Sequence, residues 1–135
     1  MSVDRVLVVD DFAGFRNAIC SMLSNRPELL VVAEASEGLE AVRKAEELQP
    51  DLIVLDLRTP KLNGLEATRR IRTVSPKSKI IIASLESSAD FVQEALRSGA
   101  AGYVIKAEIA NQLLPAIESV LQGNRWFVEP MEDIR

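Results

Sequence analysis

The sequence contains no histidine, one cysteine and no long apolar run. The absence of histidine from the 135 residues excludes catalysis by imidazole and metal sites with histidine ligands. The single cysteine, Cys20, excludes an intramolecular disulfide, and its apolar neighbours in a helical pattern favour a packing role over a reactive thiol. No apolar stretch approaches the roughly 18 residues that cross a bilayer, and the N-terminus does not read as a signal peptide. We therefore expect a cytoplasmic protein without a membrane partner.

Positive charge is also scarce, because 16 basic residues stand against 20 acidic ones and the formal net charge is −4. Neutralising the phosphates of a nucleic acid needs clustered lysine and arginine. We therefore expect that this chain does not bind nucleic acid by itself. The length and the 47% content of hydrophobic residues are those of one globular domain with a sizeable core.

Short apolar runs rich in valine and isoleucine alternate with longer amphipathic stretches. Runs of this kind are typical of strands that are buried on both faces of a sheet. The runs comprise residues 6–9, 29–33, 52–55, 80–83 and 103–105.

The stretches between these runs repeat apolar residues every three to four positions, which predicts helices. They span residues 15–23, 39–48, 65–74, 91–96 and 109–120. Alternation of this kind predicts a (βα)₅ fold, in which right-handed crossovers place helices on both faces of a parallel sheet. For five strands we expect the flavodoxin-like, doubly wound strand order 2-1-3-4-5.

Polar side chains follow four of the five predicted strands. Asp10 and Asp11 come directly after the first, Asp56 after the third, Ser84 after the fourth and Lys106 after the fifth. In an open α/β sheet, ligands bind at the carboxyl ends of the strands where the strand order reverses, which here is between strands 1 and 3. We therefore expect these five residues to converge on one site.

The chemistry of this set indicates a metal and a phosphoryl group. Three adjacent carboxylates repel one another, and a hard divalent cation with oxygen ligands, Mg²⁺ above all, offsets that repulsion. A carboxylate can also act as a nucleophile toward phosphorus and form an aspartyl phosphate. Lys106 and the Ser84 hydroxyl are suited to stabilise the charge on the phosphoryl oxygens. On this interpretation Asp10 and Asp11 are adjacent because they hold the metal.

Each residue also has a purely structural interpretation. Asp11 and Ser84 are residue types that cap helices at their N-termini. Lys106 taken alone is most simply a solvated surface charge. The structural alternative requires several coincidences at the same end of the same strands, so we favour the shared site.

Four motifs resemble the receiver domain of two-component response regulators over residues 4 to about 122. They are VVDD, DLIVLDLRTPKLNGLEATRRIR, IIIAS and GAAGYVIK. The resemblance implies that Asp56 is the phosphoacceptor, that Asp10 and Asp11 are the acidic metal-binding pair, that Ser84 is the switch hydroxyl and that Lys106 is the active-site lysine.

The resemblance further implies how such a domain signals. The backbone carbonyl of Arg58 is expected to be a fourth metal ligand, and Tyr103 resembles the switch aromatic that moves inward when Ser84 engages the phosphoryl group. A sensor histidine kinase or a phosphotransfer protein is the expected donor. The domain is then not a turnover enzyme but catalyses its own phosphorylation and dephosphorylation. Phosphorylation is expected to alter the surface of helix 4, strand 5 and helix 5 for an output partner or domain.

The motifs GLEATRRIR and GAAGYVIK look most like regulators that fuse a receiver to a LuxR-type DNA-binding domain. The segment QGNRWFVEPMEDIR after the fifth helix is too short for such a module. We therefore divide the chain into a receiver at 1–122 and a C-terminal tail or truncated linker at 123–135. Trp126 and Phe127 in this tail are expected to pack on the domain edge, with a dimer contact on activation as the alternative.

Several positions depart from the pattern of the family. Thr59 stands where the family commonly has methionine, which predicts a change in loop packing rather than a loss of chemistry. Leu85 stands where the family commonly has a small residue, and its bulkier side chain predicts narrower access to Asp56 and slower phosphorylation. We also expect Arg58 and Glu86 to pair across the mouth of the site and slow the loss of the phosphoryl group, although two unpaired solvated charges remain an alternative. Phe12 is expected to shield the same opening.

Three other interpretations remain. A phosphohydrolase of the haloacid dehalogenase type also uses an aspartyl phosphate, but it requires an aspartate where this chain has Arg58. A flavodoxin-like electron carrier requires a phosphate-binding loop where this chain places two carboxylates. A receiver fold that signals without phosphorylation is the third, and the intact set of five residues argues against it.

Overall fold

Strands and helices alternate along the chain in the computed structural model, which describes residues 2–59 and 61–128. The strands are β1 (Asp4–Val9), β2 (Leu29–Ala35), β3 (Leu52–Asp56), β4 (Lys79–Ser84), β5 (Gly102–Ile105) and β6 (Trp126–Phe127). The helices are α1 (Ala13–Ser24), α2 (Gly38–Leu48), α3 (Gly64–Val74), α4 (Ala89–Ser98) and α5 (Ile109–Leu121). A 3₁₀ turn, Lys106–Glu108, leads from β5 into α5.

All strands pair in parallel in the order β2-β1-β3-β4-β5-β6. This order confirms the predicted flavodoxin-like fold and its reversal between β1 and β3. It also adds a sixth strand, which the apolar pattern did not predict. The carboxyl ends of β1, β3, β4 and β5 therefore lie along one edge, as the sequence indicated.

Two hydrophobic clusters lie on the two faces of the sheet. Within β1, Leu7 and Val9 belong to the cluster under α2, α3 and α4, whereas Val6 and Val8 belong to the cluster under α1 and α5. Successive side chains of a strand point to opposite faces, so a strand buried on both faces must be apolar throughout. This is why the strands read as continuous valine and isoleucine runs.

The turn from β3 into α3 is tightly packed and carries part of the site. Asn63 caps α3, because its side chain accepts a hydrogen bond of 3.0 Å from the backbone nitrogen of Glu66. Gly64 is the first residue of the helix, and its backbone nitrogen donates a hydrogen bond of 2.8 Å to the carbonyl of Leu57. A Cβ at position 64 would lie 2.5 Å from the backbone oxygen of Asp56. The start of α3 therefore approaches β3 so closely that only glycine fits there.

β6 explains where the segment after α5 lies. The backbone nitrogen of Trp126 donates a hydrogen bond of 3.0 Å to the carbonyl of Ala101, and the backbone nitrogen of Val128 donates one of 3.1 Å to the carbonyl of Tyr103. The half-buried side chains of Trp126 and Phe127 pack against the two opposite clusters. The expected packing of this pair on the domain edge is confirmed, while the residues from 129 onward lie outside the described part.

Over the described ranges 2–59 and 61–128, no helix combines the length and the apolar character needed to cross a membrane.

Candidate functional site

The structure brings the predicted site residues together at the carboxyl edge of the sheet. Asp56 ends β3 and Ser84 ends β4, Asp10 directly follows β1, and Lys106 opens the 3₁₀ turn after β5. These side chains, together with Asp11, line one cleft of about 410 Å³. The cleft is completed by Phe12, Phe15, Arg58 and Leu85.

The three carboxylates form a close cluster. One oxygen from each of Asp10, Asp11 and Asp56 lies within 4.8 Å of the other two. Asp10 and Asp56 are buried, with 0% and 6% of their surfaces exposed, whereas Asp11 is exposed at the mouth. Buried carboxylates at this separation require positive charge or protons nearby.

Lys106 supplies part of that positive charge. Its Nζ lies 2.7 Å from Asp10 Oδ2 and 3.2 Å from Asp56 Oδ1, and only 9% of its side chain is exposed. The same ammonium lies 4.5 Å from the centroid of the Phe15 ring. Lys106 is therefore a buried charge held by the site, and the interpretation as a solvated surface lysine is wrong.

Asp10 retains an oxygen that suits a metal. Its Oδ1 accepts a hydrogen bond of 2.9 Å from the backbone nitrogen of Phe12. Its Oδ2 contacts Lys106 only as an ion pair, and within residues 2–59 and 61–128 no donor forms a hydrogen bond to it. A buried oxygen that has an ion-pair contact but no hydrogen bond, beside two further carboxylates, fits a hard divalent cation such as Mg²⁺. The residues present can hold such an ion.

Burial raises the pKa of the Asp56 carboxyl above its ordinary value of 3.8, and the neighbouring Asp10 charge raises it further. The Lys106 ammonium and the Arg58 backbone nitrogen, which donates 3.3 Å to Asp56 Oδ1, oppose that shift but do not cancel it. The ionised carboxylate of Asp56 therefore destabilises the metal-free folded state and favours a ligand that offsets its charge.

Asp56→Asn is expected to stabilise the metal-free protein at neutral pH. A raised pKa means that the ionised carboxylate costs folding free energy above that pKa, and asparagine removes this cost. The gain in melting temperature should shrink as the pH falls through the raised pKa of Asp56 and disappear well below 3.8, where the carboxyl is protonated in both states. Thermal unfolding in chelator, at several pH values, measures the difference. The control is Asp90→Asn at an exposed carboxylate of α4, and a destabilised Asp56→Asn at pH 7 would contradict the expectation.

Glu86 connects the hydroxyl of Ser84 to Tyr103. The backbone nitrogen of Glu86 donates a hydrogen bond of 2.9 Å to Ser84 Oγ, and the backbone carbonyl of Glu86 accepts a hydrogen bond of 2.7 Å from the Tyr103 hydroxyl. Tyr103 is fully buried, and burial raises the pKa of its hydroxyl, which keeps that group a donor. The ring of Tyr103 is thus inward in this structure.

The mouth of the cleft contains the predicted ion pair. Arg58 Nη2 contacts Glu86 Oε1, so the expected pairing of these side chains is confirmed. Leu85 and Phe12 are 75% and 66% exposed and line the same cleft. Thr59 is buried and donates its hydroxyl to the carbonyl of Leu62, within the β3–α3 turn.

The structure also decides the alternative of helix capping. The N-cap of α1 is Phe12 and that of α4 is Ser88, so neither Asp11 nor Ser84 caps a helix. Both side chains are therefore available to the cleft.

Two residues of the site are not predicted by the sequence pattern. Phe15 fits the buried stripe of α1, yet it also contacts the Lys106 ammonium. The side chain of Arg16 donates a hydrogen bond of 2.8 Å to the backbone carbonyl of Asp10 and forms an ion pair of 2.9 Å with Glu34. Their position one turn after the acidic pair, at the start of a helix, is the signal that points to both.

Comparisons with known proteins show the family to which this fold belongs. The family model described as the response regulator receiver domain matches residues 6–118. The transcriptional regulatory protein DegU of Brevibacillus brevis is 34% identical over 91% of this chain and 52% of its own length. The nitrate/nitrite response regulator protein NarL of Escherichia coli K12 is 34% identical over 96% of this chain and 60% of its own.

A solved structure has a similar fold. The crystal structure of a two-component response regulator of the LuxR family from Aurantimonas sp. SI85-9A1 is 38% identical, with a TM-score of 0.88 over 93% of this chain and 89% of that one. The fold and the acidic edge define a doubly wound α/β signalling domain. This chain belongs to the response regulator receiver domain family of two-component systems. It spans little more than half the length of DegU and NarL.

Proposed function

We propose that this protein is a phosphorylation-activated switch in which Asp56 accepts a phosphoryl group. The observation that carries the proposal is the clustering of three carboxylates within 4.8 Å, two of them in contact with the Lys106 ammonium. In the proposed site Asp10, Asp11, Asp56 and the backbone carbonyl of Arg58 hold Mg²⁺. The donor is the phosphohistidine of a sensor histidine kinase or of a phosphotransfer protein.

Each side chain then has a defined part in the transfer. A carboxylate oxygen of Asp56 attacks phosphorus, the bond from phosphorus to the donor's nitrogen breaks, and that nitrogen keeps the electron pair. The Lys106 ammonium stabilises negative charge on one phosphoryl oxygen, and the Ser84 hydroxyl donates a hydrogen bond to another. A bound Mg²⁺ supplies the remaining charge neutralisation.

The output is proposed to follow from the Ser84–Glu86–Tyr103 chain of hydrogen bonds. When Ser84 engages the phosphoryl group, the backbone of Glu86 moves with it, and Tyr103 is held inward through the Glu86 carbonyl. Phosphorylation therefore shifts a two-state equilibrium of α4, β5 and α5. The partner that reads this surface is proposed to be an output protein or domain, or a second copy of the chain.

The remaining assignments follow from this role. The protein is not a turnover enzyme, because Asp56 is the nucleophile and the phosphoryl group stays on Asp56 as the product of the transfer. Transcription regulation is the named role of DegU, of whose length the match covers 52%, so DNA binding is assigned to a further domain or partner and not to residues 1–122. The site of action is proposed to be the cytoplasm, and residues 123–135 are proposed to be a tail or a linker.

Glu86→Ala is expected to shorten the lifetime of the phosphorylated protein about 1.5- to 5-fold. The pair with Arg58 crosses the mouth of the cleft, and an exposed pair contributes roughly 0.2–1 kcal/mol. The measurement is the decay of phosphoprotein by intact mass after removal of the donor. Glu94→Ala is the matched control, because Glu94 pairs with Arg97 at 2.8 Å on α4, outside the residues that line the cleft. An unchanged lifetime in Glu86→Ala would show that the ion pair does not retain the phosphoryl group.

The proposed function is tested by incubation with acetyl phosphate and Mg²⁺, followed by intact mass measurement. The parent protein should gain one phosphoryl group, and chelation of the metal should prevent the gain. Asp56→Asn should gain none, whereas the control Asp90→Asn should behave as the parent. Phosphorylation of Asp56→Asn would show that Asp56 is not the phosphoacceptor. If the parent protein gains no phosphoryl group, the receiver that signals without phosphorylation becomes the better interpretation.

A further inference from the structure

The Lys106 ammonium has three contacts in the cleft, and they differ in kind. Two are the carboxylates of Asp10 and Asp56, and the third is the face of the Phe15 ring at 4.5 Å from the ring centroid. A cation within about 6 Å of a ring centroid is attracted by the negative face of the ring. The attraction grows when the cation is desolvated, and the Lys106 side chain is 9% exposed.

The position of Phe15 is fixed independently of Lys106. Phe15 lies in the first turns of α1 and packs, partly buried, against the hydrophobic cluster between the sheet and helices α1 and α5. Lys106 instead begins a three-residue 3₁₀ turn and reaches the cleft through a long flexible side chain. The aromatic ring is therefore the rigid partner, and the lysine is the group that needs to be held.

The uncharged contact also behaves differently from the two charged ones during the proposed reaction. Asp10 and Asp56 are also the proposed ligands of the metal, and Asp56 is the proposed nucleophile, so neither carboxylate is committed to the lysine alone. The Phe15 ring has no competing partner of this kind. It can keep the ammonium inside the cleft while the carboxylates bind the metal or the phosphoryl group.

We propose that Phe15 is a positioning residue for phosphoryl transfer, whose ring face holds the Lys106 ammonium beside Asp56. This inference rests on the proposed function and assigns it a residue outside the five that the family motifs carry. Phe15 does not touch the reacting atoms and acts only through Lys106.

The kinetic test compares apolar and aromatic replacements. Phe15→Leu keeps an apolar side chain in α1 but removes the ring face, whereas Phe15→Tyr keeps the ring. With acetyl phosphate and Mg²⁺, the initial rate of phosphorylation of Phe15→Leu should be about three- to tenfold lower than that of the parent, the size expected of a partly desolvated cation–π contact. Phe15→Tyr should stay within about twofold of the parent by the same reasoning. Phe15→Met serves as the apolar variant if leucine prevents folding, which thermal unfolding shows.

A second readout reports the contact itself. The chain has five lysines, and ¹³C-labelled lysine gives one ε-methylene signal for each, assigned by Lys106→Arg. The ring current of Phe15 should shift the Lys106 signal upfield in the parent and in Phe15→Tyr, and the shift should be lost in Phe15→Leu. This signal shows whether the ring face contacts Lys106 in solution, and the rate of Phe15→Tyr against that of Phe15→Leu shows whether the contact assists phosphorylation.

The outcomes separate this inference from the function on which it rests. If the parent gains no phosphoryl group, the proposed function fails and the positioning role fails with it. If the parent is phosphorylated and Phe15→Leu is equally fast, only the positioning role is overturned. Equal slowing of Phe15→Leu and Phe15→Tyr, or a Lys106 signal without an upfield shift in the parent, overturns it as well.

Discussion

Lys106→Met is expected to lower the initial rate of phosphorylation by acetyl phosphate about 100- to 1,000-fold. The buried ammonium lies 3.2 Å from Asp56 Oδ1, next to the position at which the phosphoryl oxygens must come. Removing one pre-positioned donor of this kind from a catalytic site typically costs a factor of that size. The rate is measured by intact mass at fixed Mg²⁺ concentration.

The matched control for this variant is Lys77→Met. Lys77 is exposed and precedes β4, at the edge of the sheet opposite the cleft, so its loss should leave the rate unchanged. A Lys106→Met protein that is folded and phosphorylated within about threefold of the parent would contradict the electrostatic role of Lys106, since that role predicts a far larger factor.

Gly64→Ala is expected to lower the free energy of unfolding by about 2–3 kcal/mol, the cost of overpacking a tightly packed site. The added Cβ would lie 2.5 Å from the backbone oxygen of Asp56 and 2.8 Å from the Cα of Leu57. Both atoms belong to the backbone at the end of β3, so neither can rotate away as a side chain can. Relief requires a shift of the turn that carries Arg58, and we expect Mg²⁺-dependent phosphorylation to slow as well. Urea unfolding measures the loss of stability.

Gly14→Ala separates this steric effect from the general effect of adding a methyl group to a glycine. The nearest atoms to a Cβ at position 14 belong to the Phe12 ring, at 3.2 Å, and that exposed side chain is free to move. Alanine also has the higher helix propensity, so this variant should be neutral or stabilising by up to about 1 kcal/mol. Similar stabilities for the two alanine variants would show that the β3–α3 turn is looser than described.

The sequence predicted the sheet because strands buried on both faces must be apolar throughout. That requirement made β1, β3 and β4 visible as valine and isoleucine runs, and their order placed Asp10, Asp56 and Ser84 at one edge. The polar residues of the site could be predicted for the same reason, since each directly follows a strand whose end was clear.

The features that the sequence did not predict depend on contacts rather than on patterns. β6 has two residues, too few for a periodic signal, and it forms only because the free edge of β5 accepts its backbone. Phe15 fits the apolar stripe of α1, so its second contact with Lys106 could be found only in three dimensions. The inward ring of Tyr103 depends likewise on the position of the Glu86 carbonyl.

The most direct test of the central claim is a crystal structure of the protein with Mg²⁺ and beryllofluoride, a stable analogue of the phosphoryl group. We expect beryllium bonded to a carboxylate oxygen of Asp56, a metal ion held between Asp10, Asp11, Asp56 and the Arg58 carbonyl, and Lys106 and Ser84 in contact with the fluorines. A metal ion bound away from the three aspartates, or beryllium on any side chain other than Asp56, would contradict it.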